Sequence, residues 1–174
     1  AADDALVSIP LNSLLSHRLA SLCAETGSRL IHFSTDCVFS GKKGGYLESD
    51  IPDATDLYGR SKLLGEVDCS HAITLRTSLI GHELHGSRSL VNWFLAQEGS
   101  VRGFSKAIFS GLPAVEIALV IEDHVLSHPE LHGVYHLSVD PISKYDLLSM
   151  VKDVYRKQIE IIPDESLVID RSLD

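Results

Sequence analysis

Positive charge is scarce in this chain: 15 lysines and arginines stand against 24 aspartates and glutamates, a formal net charge of −9. That balance excludes a general nucleic-acid binder, whose footprint is a concentrated basic surface. Small anions stay admissible, because a few local arginines suffice to hold them. Cysteine is scarce too. Cys23, Cys37 and Cys69 are odd in number and lack metal-ligand spacing, which fits a reducing cytoplasm and no disulfide framework. No apolar run approaches the length that spans a bilayer, so no membrane partner is expected. There are no internal repeats and no low-complexity tracts. His82-Glu83-Leu84-His85 lacks the spacing of a zinc-protease helix, and His124 with His128 has no third ligand, so no metal is expected.

What is present is enough apolar material, 44% of 174 residues, for one or two compact units with a real core. Leu11, Leu14, Leu15, Leu19, Leu22 and Cys23 recur at helical spacing, predicting an amphipathic helix from about residue 10 to 26, ended by Gly27. A short buried strand is expected at 29–34, a helix around Tyr58, and a second buried strand at 72–77. Alternation of helix and strand favours a parallel sheet with helical crossovers. Further on, helices are expected at 89–97, 115–126 and 143–155, and strands at 107–109, 134–137 and 159–162, the last closing before Pro163. The stretch containing Gly99 and Gly103 reads as a polar connection.

The chemistry sits in two segments, Phe33-Ser34-Thr35-Asp36-Cys37-Val38-Phe39-Ser40-Gly41 and Leu57-Tyr58-Gly59-Arg60-Ser61-Lys62-Leu63-Leu64-Gly65-Glu66. Tyr58 and Lys62 are four residues apart and share one helix face. None of the other tyrosines, 46, 135, 145 and 155, has a lysine at that spacing. A phenol beside an ammonium is an arrangement for giving a proton to a carbonyl. The expectation is that Lys62 lowers the phenol's pKa from about 10 toward neutrality. A hydroxyl from Ser34 or Thr35 at the strand end would hold the substrate oxygen within the phenol's reach. In open α/β sheets ligands bind outside the carboxyl ends of the strands, which is where Ser34 and Thr35 fall.

Ser-Thr-Asp-Cys-Val-Phe-Ser-Gly, the following Tyr46-x-Glu48, and Tyr58-Gly-Arg-Ser-Lys62-x-x-Gly-Glu66 resemble the extended short-chain dehydrogenase/reductases, in particular the dTDP-4-dehydrorhamnose reductase-like sugar-nucleotide reductases. The likeness continues through Leu75-Arg76-Thr77-Ser78 and Gly111-Leu112-Pro113, and the ending Asp170-Arg171-Ser172-Leu173-Asp174 is similar to deoxysugar reductases of surface-polysaccharide pathways. Cys37 departs from the family, which usually has tyrosine there. The resemblance implies an α/β fold: the C-terminal part of a Rossmann-type parallel sheet with helices on both faces, plus a smaller substrate-binding lobe. Residues 1–82 would be the C-terminal portion of the NAD(P)-binding domain, and 83–174 the substrate lobe interleaved with the last strands. Members of the family are considerably longer and carry a Gly-x-x-Gly-x-x-Gly pyrophosphate loop after their first strand. That loop is not in this sequence, so the chain is expected to be the latter part of such a protein and to bind cofactor poorly by itself. Gly41, Gly44 and Gly45 read instead as a flexible loop near the substrate.

The implied activity is NADPH- or NADH-dependent reduction of a nucleotide-linked 4-keto-6-deoxy sugar in the cytoplasm, with Thr35, Tyr58 and Lys62 catalytic and Ser34 and Asp36 assisting. By the same resemblance Tyr58, Lys62, Arg76, Thr77 and Asn12 would face the cofactor; Arg76 could equally hold a structural carboxylate. Lys106, Arg102 and Arg171 are the cations offered for the substrate diphosphate, since a guanidinium fork matches it bidentately and an ammonium serves as a point charge. The expected partner is a nucleotide-diphosphate sugar, with neither nucleic acid nor membrane, and a homodimer is admitted. Two other readings stay open on sequence. One is a non-catalytic dinucleotide-binding subunit resembling the beta subunit of methionine adenosyltransferase. The other is a sugar-nucleotide epimerase or dehydratase, for which the acid Asp36 beside Thr35 would matter.

Overall fold

The computed structural model describes residues 4–174. Helix α1 (Ala5–Ile9) runs through a π-helical turn (Pro10–Leu14) into α2 (Leu15–Thr26), so the first helix begins five residues before the leucine pattern that predicted it. Pro10 has no N–H to give to the preceding turn, and the widened turn after it, in which the Leu15 N–H reaches the Pro10 carbonyl, lets the helix continue. Gly27, in the left-handed region, ends α2 as expected. Strand β1 (Leu30–Thr35) follows, and then a single 3₁₀ turn (Asp36–Val38), a long loop, α3 (Leu57–Leu64) and β2 (Ala72–Thr77).

The remainder comprises β3 (Leu79–Ile80), α4 (Leu90–Ala96), β4 (Ser100–Phe104), β5 (Ala107–Phe109), β6 (Leu112–Pro113) and α5 (Ala114–Val120), which passes into a second π-helical stretch (Ile121–Leu126). Then come β7 (Gly133–His136), β8 (Ile142–Ser143), α6 (Lys144–Val154), β9 (Glu160–Asp164) and β10 (Ile169–Asp170). Two boundaries differ from the sequence reading. The supposed connection around Gly103 is β4, because its inward positions are Val101 and a glycine, which leaves almost no apolar signal. β9 runs through Pro163, which pairs with Gly103 in register.

The sheet that positions the site has the order β1-β2-β7 and is parallel throughout, with Thr35 beside Thr77 at the carboxyl ends of β1 and β2. Strand alternation divides its side chains between two helical layers. Leu30 and Ala72 pack with Ala20 of α2 and Val67, while Ile31, Ile73 and Leu75 pack with Ile121 and Val125 of the second π-helical stretch. Helices therefore cover both faces, and the fold is α/β as expected. β7 joins this sheet from beyond residue 83, so the two halves of the chain share it. A separate core of Phe94, Val101, Leu148 and Ile159 holds the β4–β9 pair. No helix among the described residues is long and apolar enough to cross a membrane.

Candidate active site

The Tyr58 helix is seated by backbone contacts that only small residues allow. Asp56 caps α3 by accepting the Gly59 N–H at 2.8 Å. A Cβ on Gly59 would lie 2.2 Å from the Cys37 carbonyl oxygen, and one on Gly65 would lie 1.9 Å from that of Asn12. The glycines flanking Lys62 thus have a packing reason: α3 presses directly on the turn after β1 and on the first π-helical turn. Asn12 reaches across to donate from Nδ2 to the Ser61 hydroxyl at 3.0 Å, so its side chain braces α3.

Ser34, Thr35, Asp36, Tyr58, Thr77, Ser78 and Leu79 line a cavity of about 290 Å³ at the carboxyl ends of β1 and β2. Thr35 Oγ1 donates to Asp36 Oδ1 at 3.1 Å and accepts the Cys37 N–H at 3.2 Å. Burial raises the Tyr58 phenol above its ordinary pKa; hydrogen bonding with Thr35 works against that, and the nearby Cys37, Asp36 and Asp56 add to it. This corrects the expectation that Lys62 would bring the phenol toward neutrality. Lys62 instead donates from Nζ to the Phe33 carbonyl at 2.5 Å and does not line the cavity. Its own pKa is lowered by burial, with Glu66 opposing. The phenol is held in its protonated form, the form that can give a proton.

Behind the cavity lies a buried ion pair. Arg76 grips Glu66 bidentately, with Nε on Oε1 and NH2 on Oε2, both at 2.8 Å, and Ser34 Oγ donates to the same Oε1 at 2.6 Å. The Arg76 guanidinium also lies 5.2 Å above the Phe39 ring and 3.3 Å from Nε2 of His136. The structural-carboxylate alternative therefore describes Arg76, whose guanidinium is committed to Glu66. Ser34 is a brace for the end of β1, leaving Thr35 as the strand-borne alcohol beside Tyr58. In the sequence Glu66 stands out only as part of a motif. The signal that could have found this pair is a buried-strand arginine, which needs a carboxylate close by.

A second cavity of about 310 Å³ shares Asp36, Cys37 and Ser78 with the first and continues to Lys144 and Arg171. Arg171 arrives on a tail clasped to the 41–46 loop: Asp170 donates its N–H to the Gly41 carbonyl at 2.8 Å, Tyr46 to Ser172 at 2.8 Å, and Asp174 to Tyr46 at 2.9 Å. The loop expected to be flexible is therefore a fastened one. Arg102 and Lys106 do not meet this cleft. Arg102 is exposed and pairs with Asp164 at 3.4 Å on the β4–β9 pair, and Lys106 is exposed and lines neither cavity. A third hollow of about 250 Å³, apolar and formed by Phe33, Leu79, Ala114, Ile117, Ala118 and Ile121, adjoins the first through Phe33 and Leu79.

Comparison with known proteins bears on this geometry. A family model described as the RmlD substrate binding domain matches residues 3–167. Methionine adenosyltransferase 2 subunit beta from Danio rerio is 31% identical over 153 residues, covering 80% of this chain and 47% of that protein. The dTDP-4-dehydrorhamnose reductase of Aggregatibacter actinomycetemcomitans is 30% identical over 158 residues, covering 83% of this chain and 54% of that one. The chain thus spans about half the length of these relatives. The dTDP-4-dehydrorhamnose reductase of Bacillus anthracis, solved in complex with NADP, superimposes with a TM-score of 0.81 at 22% identity, over 95% of this chain and 61% of that one.

Proposed function

The chain belongs to the RmlD substrate-binding domain family, and from that membership we propose that it forms the catalytic and substrate-binding part of an NAD(P)H-dependent reductase of a nucleotide-linked 4-keto-6-deoxy sugar. The observation that carries this reading is the convergence of the Thr35, Tyr58 and Thr77 side chains on one cavity at the ends of two parallel strands. Its relatives include a dTDP-4-dehydrorhamnose reductase, and a structural neighbour holds NADP. In this reading residues 83–174 are the substrate lobe, and the product is a deoxysugar donor for surface polysaccharide made in the cytoplasm.

The residues present fit a nicotinamide. An apolar hollow adjoins the reactive cavity through Phe33 and Leu79, offering a flat ring a dry face beside Tyr58 and Thr35. Thr77 and Lys62 would hold its ribose side, and Asn12 would act only through α3. The cofactor, when bound, supplies the hydride. This chain's residues do the rest. Thr35 turns its hydroxyl from Asp36 to the ketone oxygen and polarises it as negative charge grows there. Tyr58 Oη gives that oxygen its proton, so the C=O π bond is replaced by one C–H and one O–H bond. The tyrosinate left behind is reprotonated from solvent, to which Tyr58 is 37% exposed. Lys62, one turn along, stabilises that transient anion on leaving the Phe33 carbonyl. Asp36, whose carboxyl burial pushes up, holds Thr35 between turnovers.

The test is NADPH and NADH oxidation by the full-length protein with a set of 4-keto-6-deoxy sugar nucleotides, dTDP-linked first. Turnover with one of them is expected. Retained dinucleotide binding with no turnover on any would instead favour a non-catalytic subunit; the Danio rerio relative is named as subunit beta of methionine adenosyltransferase 2.

A further inference from the structure

Two cations reach the second cavity, and they are not equivalent. Arg171 is largely spent on the protein: its Nε donates to the Phe39 carbonyl at 2.9 Å, NH1 points to Cys37 Sγ at 3.4 Å, and NH2 stands 4.0 Å from Asp56 Oδ2. Lys144 is different. It lines the same cavity, is half-buried, and among the described residues has no hydrogen bond and no carboxylate at ion-pair distance.

Its position is also unfavourable by itself. Lys144 is the first residue of α6, directly after the Ser143 cap, which accepts the Asp146 N–H at 3.0 Å. A cation there opposes the positive end of the helix dipole, where Asp146 already provides the favourable charge. The ammonium is also left without a protein partner among the described residues. Neither feature serves the fold. An anion in the cavity would answer both, because it would pair with the ammonium and offset its opposition to the helix dipole. Among the described residues Asp36, on the wall shared with the first cavity, is the one carboxylate that lines this space, and burial favours its neutral form.

We propose that Lys144 is the principal anion-binding side chain of the second cavity, taking the diphosphate of a nucleotide-linked sugar whose keto carbon stands in the first. Arg171, fixed by its protein partners, backs that site as a stationary charge. That the anion is a diphosphate rests on the sugar-nucleotide reading of the cleft, whereas the presence of an anion site at Lys144 does not.

Calorimetric titration of the full-length protein with inorganic pyrophosphate, its dinucleotide site kept filled with NADP+, separates the two. Wild type is expected to bind, Lys144→Met to bind about tenfold or more weakly, as for loss of one charge-assisted hydrogen bond, and Lys144→Arg to keep most of the affinity. Lys152→Met, at the far end of the same helix, should bind as wild type does. Lys144-dependent binding of pyrophosphate without reduction of any sugar nucleotide would uphold this site while removing the reductase reading. No binding by wild type, or equal binding by Lys144→Met, would overturn the assignment whatever the reductase assay shows.

Discussion

The two ends of the cleft are built on opposite plans. The hydroxyl end stands on the last residues of two paired strands, with Thr35 and Thr77 in register and a buried Glu66–Arg76 pair locked behind them. The cationic end stands on a helix start and a clasped tail, with an unpaired lysine and an arginine borrowed by its surroundings. Chemistry that must place a proton within tenths of an ångström uses a stiff frame. Holding a diffuse, doubly charged group tolerates a longer side chain that swings. The difference implies that damage to the first end stops turnover or the fold, and damage to the second weakens affinity.

The sharpest way to break that comparison is Tyr58→Phe, which should lower turnover by about 10³-fold, as for loss of a general acid, with dinucleotide affinity unchanged in a fluorescence titration. Next comes Glu66→Ala. Removing the carboxylate leaves the Arg76 guanidinium buried without its partner, and chemical denaturation should show a loss of about 3–5 kcal/mol. An exposed pair such as Arg102 with Asp164, removed from either side, should change stability by less than about 1 kcal/mol in the same experiment.

His32 sharpens the picture through pH. Burial first, then the Lys62 charge, lowers its pKa from 6.5 to about 4, and its Nε2 is buried without a hydrogen-bond partner. The unfolded chain takes up the proton first as pH falls, so stability is full above about 6.5 and declines toward about 4. The loss should be on the order of 2 kcal/mol between those limits, less than the whole shift would give because solvent screens a partly exposed ring, measured as urea midpoints at several pH values, and His32→Phe should flatten that part of the profile. Smaller again is Ser172→Ala, which removes the acceptor of the Gly45 N–H and the donor to Asp170 and should loosen the tail by about 1 kcal/mol. Lys106→Ala should change nothing in substrate affinity, in keeping with its place outside both cavities.

The hydroxyl end was legible in the sequence because its parts are local. Tyr58 and Lys62 are one helical turn apart, and Ser34 and Thr35 close a recognisable strand. What spacing could not say is where the side chains turn: Lys62 to a backbone carbonyl, Ser34 and Arg76 to Glu66. Those choices are set by burial and by partners on other elements. The cationic end joins residues 37, 144 and 171, and no local pattern marks such a meeting. In the sequence Arg171 stands out only by its chemistry, as Arg102 and Lys106 do, since cations look alike there whether a fold buries them or not. Lys144 carried one readable sign, a positive charge at a helix start. Strand β4 hid for a related reason, its inward positions being a valine and a glycine.

The most direct test of the central claim follows the hydrogen itself. The full-length protein would be given NADPH deuterated at the transferable position of its nicotinamide, together with a dTDP-linked 4-keto-6-deoxy sugar, and the product weighed by mass spectrometry. The account predicts a product heavier by one deuterium at the former keto carbon with wild type, and almost none with Tyr58→Phe. Unlabelled product from wild type, or equal label from both proteins, would contradict it.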